Sequence, residues 1–62
     1  PMTLNGWNIQ GSILDNDTIL IILQNVDNDA VFMRYFTDET KAHQFLTDVV
    51  YGGSDVSKEG EF

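Results

Sequence analysis

Two nearly identical triplets, Asp15-Asn16-Asp17 and Asp27-Asn28-Asp29, are the first candidates for chemistry in this chain. Closely spaced side-chain oxygens can hold calcium. An EF-hand loop, however, also needs a glycine at its sixth position and a glutamate at its twelfth. Neither triplet is followed by those residues. Asp and Asn also hydrogen-bond their own backbone and tolerate left-handed geometry, so both triplets read as turns. His43 is the one imidazole, with Glu39 one helical turn before it, a spacing that suits a surface pair. Ser12, Ser54 and Ser57 have no base nearby in sequence, and cysteine is absent. Gly52-Gly53 lacks the spacing and the lysine of a phosphate loop. No metal, no cofactor and no enzymatic activity are expected.

Composition narrows the classes further. The chain has 62 residues, so it makes one domain at most. A domain this small buries only about 60% of its unfolded surface and is marginally stable. Without cysteine it has no disulfide, so a partner or a second copy is the stabiliser to consider. Ten acidic and three basic residues give a net charge of −7. That balance argues against direct contact with nucleic acid or an anionic membrane, both of which call for Lys and Arg. It suits a protein partner with a basic surface. No apolar run approaches a membrane span and no signal-peptide pattern is present, so a cytoplasmic location is expected. Pro1 before Met2 reads as the remnant of a cleaved tag.

The elements that must position any site follow from hydrophobic period. Leu4 to Leu14 alternates and reads as one half-buried strand, with Gly11 leaving room on its apolar side. Thr18 to Val26 contains the unbroken run Ile19-Leu20-Ile21-Ile22-Leu23, which would put apolar side chains on both faces of a sheet. Ala30 to Phe36 is β-branched and aromatic. The period then changes. Ala42, Phe45, Leu46, Val49 and Val50 form one stripe of an amphipathic helix, with Thr37 or Asp38 as N-cap and Gly52-Gly53 as its end. The expectation is an α+β fold: a three-stranded antiparallel meander and one C-terminal helix packed on one face (βββα). The domain would run over 2–53, and 54–62 would be a mobile acidic tail, with Val56 and Phe62 able to fold back.

Three-residue loops at both triplets would set Leu14 opposite Thr18 and Val26 opposite Ala30. One face would then carry Trp7, Ile9, Ile13, Ile19, Ile21, Leu23, Val31, Met33 and Tyr35, the seat for the helix. The other would carry Asn8, Gln10, Ser12 and Gln24 beside Leu20, Ile22, Phe32, Arg34 and Phe36. Those last five residues are the expected interface, an apolar patch with an arginine among aromatics. It would serve a homodimer, packed face to face or extended along a strand edge, or another protein.

In size and charge the chain resembles small acidic inhibitors from phages and mobile elements, including anti-defence proteins. That likeness implies a non-catalytic, homodimeric protein-binding module acting by occlusion. Asp15, Asp17, Asp27, Asp29, Asp38, Glu39 and Asp48 would then steer it to a basic target. Two alternatives are a nucleic-acid mimic using those carboxylates and a small assembly subunit of a larger complex.

Overall fold

The structure, a computed structural model, describes residues 2–59. Pro1 and 60–62, including Phe62, lie outside the described residues. The architecture is α+β, an antiparallel sheet followed by one helix, but the sheet has four strands in the order β1-β2-β3-β4. They are β1 (Met2–Leu4), β2 (Trp7–Ile13), β3 (Ile19–Asn25) and β4 (Val31–Phe36).

The additional strand comes from splitting the first expected one. Asn5 and Gly6 both have positive φ, 50° and 84°, and join β1 to β2 as a two-residue hairpin turn. Such a turn favours Asn-Gly because both central residues must be left-handed, and glycine adopts that conformation without a Cβ penalty. Leu4 then pairs with Trp7, and Met2 with Ile9, so both join the side that faces the helix. In a continuous strand Leu4 would have pointed the opposite way from Trp7.

The β2–β3 connection is the three-residue loop expected. Leu14 N–H bonds the Thr18 carbonyl at 2.8 Å, and Asp17 is left-handed at φ 62°. Ile13 faces Ile19, Gly11 faces Ile21 and Ile9 faces Leu23, also as expected. Gly11, though, has open space where a Cβ would stand, so no side chain fills the gap it leaves.

The β3–β4 connection departs from expectation. Asn25, not Val26, is the last paired residue, bonding the Ala30 carbonyl at 2.9 Å. Its side-chain oxygen accepts from the N–H groups of Asp27 at 2.9 Å and Asn28 at 3.3 Å, which curls the chain into the loop. The loop is one residue longer than its counterpart, so the register shifts by one: Leu23 pairs with Phe32 and Ile21 with Arg34. A one-residue shift turns over every side chain of a strand. Phe32, Arg34 and Phe36 therefore lie on the helix side, and Val31, Met33 and Tyr35 on the other.

Helix α1 (Glu39–Leu46) is capped by Asp38, whose carboxylate accepts from Thr40 N–H at 2.8 Å. It continues as a wider π-helical turn, Thr47–Tyr51, closed by Gly52 N–H to the Thr47 carbonyl at 3.0 Å. Val49 and Val50 are both buried there. Gly53, at φ 70°, lets Ser54 N–H reach back to the Asp48 carbonyl at 2.9 Å, a left-handed helix end. Asn5 donates its side-chain N–H to the Val50 carbonyl at 3.1 Å, tying the first hairpin to this end of the helix.

The core gathers Ile21, Leu23, Phe36, Ala42, Phe45, Val49 and Val56, with Trp7, Ile9, Ile19, Phe32 and Leu46 half-buried around it. Phe36 and Phe45 stack at 5.3 Å between ring centres, and Trp7 meets Phe32 edge-on at 6.2 Å. Ile13, expected in the core, is 68% exposed. It stands at the end of β2, beyond the β3–β4 region on which α1 rests. Past Gly53 the chain turns back, and a short 3-10 turn, Val56–Lys58, sets Val56 into the core. The segment read as a mobile tail thus supplies one of the buried side chains.

Candidate protein-binding face

The side of the sheet away from the helix has no element over it among the described residues. Its outline follows from the register. Leu20 stands opposite Tyr35, Ile22 opposite Met33 and Gln24 opposite Val31. On the other flank Ser12, Gln10 and Asn8 pair with the same three β3 residues, and Thr3 pairs with Asn8.

Of the five residues expected at this interface, Leu20 and Ile22 are on the open face. Phe32, Arg34 and Phe36 are not, because the longer β3–β4 loop turned their strand over. Phe36 is only 2% exposed. Their places are taken by Val31, Met33 and Tyr35, at 57%, 43% and 38% exposure. The patch survives with different members.

Two features distinguish the face. First, it is divided: β3 and β4 present apolar side chains, while β1 and β2 present amides and hydroxyls. The polar half is partly self-satisfied. Thr3 donates its hydroxyl to Asn8 at 2.7 Å, and Asn8 donates to the Gln24 side chain at 3.5 Å. Second, none of the described side chains on it is charged, although the chain carries a net −7. Depletion of charge beside exposed apolar and aromatic groups is the composition of an interface centre.

The edges of the sheet are treated differently. Asn25 and Ala30 form a hydrogen-bonded pair, so Phe32, Arg34 and Phe36 direct their backbone groups to β3. Val31, Met33 and Tyr35 direct theirs outward. Arg34 stands over the centre of that edge. Its Nη1 donates to the Met33 carbonyl at 2.8 Å, Nη2 to the Val56 carbonyl at 2.9 Å and Nε to the Glu59 carbonyl at 2.8 Å. An arginine tied across an edge strand blunts its capacity to recruit another strand. The opposite edge, β1, is three residues long.

The acidic residues lie elsewhere. Asp15 and Asp17 are on the β2–β3 loop, and Asp27 and Asp29 on the β3–β4 loop, all exposed. The two loops flank opposite ends of β3, roughly 23 Å apart for seven strand residues. Asp38 is engaged as the α1 cap, and Asp48 accepts from the Gln44 side chain at 2.7 Å. Asp55 accepts from the Ser57 hydroxyl at 2.7 Å and from Ser57 N–H at 3.0 Å. Those two bonds, with the nearby Lys58 charge, hold its carboxyl below the usual range, against a small opposing effect of burial. Its capping contribution is therefore complete above the unfolded pKa and is lost as pH falls through the folded one.

No chemical site competes with the face. Among the described residues no three His, Asp or Glu side chains come together as a metal site. Glu39, Thr40 and His43 line a shallow, open depression on the outer side of α1. No helix of the described residues is long and apolar enough to cross a membrane.

The class these features define is a small α+β domain: a four-stranded meander with one sheet face built for the helix and the other uncovered. No protein-family model matches the chain, and no curated protein or solved structure does so.

Proposed function

We propose that the chain is a non-catalytic protein-binding module that acts by occupying surface, in the manner of a small inhibitor or modulator. The uncovered, charge-free sheet face is the observation that carries this reading. Leu20, Ile22, Val31, Met33 and Tyr35 sit there side by side, and burying one such side chain is worth about 1.5–3 kcal/mol. That is a large fraction of the ~3–5 kcal/mol that a single core of this size supplies. Contact at this face would both hold the domain together and define what it binds.

The exposed carboxylates act at longer range. Asp15, Asp17, Asp27 and Asp29 project from the two ends of the sheet, and Asp38, Glu39 and Asp48 from the helix. They favour encounter with a basic protein surface and oppose approach to nucleic acid. Their separation into two end groups gives no continuous row of phosphate-like charge, so the mimic reading has less support.

A photo-crosslinking side chain placed at Met33 tests the proposal in cells that make the protein. It should yield protein adducts that the same group at Thr40, on the outer side of α1, does not. Equal adducts from both positions, or none from Met33, would contradict it.

A further inference from the structure

We infer that the occupant of the open face is a second copy of this chain, packed sheet against sheet. The inference rests on the binding-face reading above and goes further by naming the partner.

Charge makes the selection. Each copy carries a net −7, and its carboxylates occupy the loops at both ends of the sheet and the helix. Two copies meeting through any of those regions bring like charges together. The open face has no charged side chain among the described residues, so it is the surface on which self-contact carries no such penalty at its centre. A basic partner would instead be drawn to the loops and the helix.

Edge geometry selects the mode. Extending the sheet through β4 would require the outward carbonyl of Met33, which already accepts from Arg34 at 2.8 Å. Extension through β1 offers three residues of backbone. Neither edge supplies a continuous ladder, whereas the face is unobstructed. Packing centred on β3 and β4 would set Leu20 and Ile22 of one copy against Met33 and Tyr35 of the other. Asn8, Gln10 and Ser12 then fall at a hydrated rim, the polar surround expected of a protein interface. Aligned sheets pack about 10 Å apart with their strands within about 30° of each other.

Area sets the strength. Strands of about 23 Å, four abreast at ~4.8 Å, give a face of roughly 400 Å² per copy. That is at the small end for specific interfaces, so the dimer should be concentration-dependent rather than permanent. Salt gives it a distinctive sign. The acidic loops of two copies approach each other around the rim, so screening should strengthen self-association, whereas it would weaken capture by a basic partner.

The test is solution mass by light scattering after size exclusion, from micromolar to millimolar loading, at low and high salt. Wild type, Met33→Asp and Val31→Asp are compared, with circular dichroism to establish that each variant is folded. A hydrophobic dye that fluoresces on exposed apolar surface is titrated alongside. The expected result is a shift from 7.0 kDa toward twice that mass in wild type, sharper at high salt, and monomer at every loading in both variants. Wild-type protein that stays monomeric throughout overturns the second-copy inference. If the monomer binds dye and Met33→Asp does not, the face remains a binding surface for another protein; if neither binds dye, the binding-face reading fails as well. A dimer that persists in both variants also overturns the inference, because the contact then lies elsewhere.

Discussion

Arg34 shows how one residue can serve several elements. From β4 its guanidinium reaches the carbonyls of Met33, Val56 and Glu59, linking the edge strand to the returning segment that inserts Val56 into the core. Hydrogen bonds from charged donors contribute more than neutral ones, at about 1.5–3 kcal/mol each before solvent exposure reduces them. Replacing Arg34 by Gln removes most of this clamp. The expected outcome is a loss of about 1–3 kcal/mol in urea unfolding, with amide exchange at Val56–Glu59 accelerated more than in β3. Unchanged stability and unchanged exchange would mean that the clamp is dispensable. The sequence does not announce this role. An arginine between two phenylalanines reads as surface, because charged groups are rarely buried. The structure reconciles the two: the arginine stem lies on the helix side while its head reaches the sheet edge, where carbonyls satisfy it.

At the scale of elements, two turns decide the architecture. Asn5-Gly6 was legible, since that dipeptide between apolar residues is a strong hairpin signal. Apolar residues on both sides of it disguised the break as one alternating strand. Gly6→Val forces a β-branched residue into φ 84° and should cost about 1–2 kcal/mol. Proton exchange should rise first in Met2–Leu4, and exchange spreading evenly through the sheet would argue against a local hairpin. The other turn was harder to read. Asp15-Asn16-Asp17 and Asp27-Asn28-Asp29 look alike, yet Leu14 stays paired and Val26 does not. The difference lies in Asn25, whose side chain accepts the Asp27 and Asn28 N–H groups and starts the loop a residue early. A polar residue opposite Trp7, on the core side of β3, was the available signal. The helix, by contrast, followed from its stripe, its cap and its glycine end.

For the whole molecule, these local choices determine which surface is left open. One helix and the returning Val56 segment cover one side of the sheet, and the domain extends only 33 × 19 × 16 Å. The presence of an uncovered apolar face was readable from the Ile19–Leu23 run, because apolar residues on both faces of a central strand need two covers. Its membership was not, because it depends on a single residue of loop length.

The account's central claim is that β4 points Val31, Met33 and Tyr35 outward and Phe32, Arg34 and Phe36 inward. It is tested most directly by thermal unfolding of Met33→Asp and Phe36→Asp, followed by circular dichroism at low micromolar concentration. Met33→Asp should retain a cooperative transition, since its carboxylate stays in water. Phe36→Asp should show none, because a buried, unpaired charge exceeds the ~3–5 kcal/mol available to a core of this size. A folded Phe36→Asp, or a Met33→Asp that fails to fold, would place the strand the other way round and contradict the account.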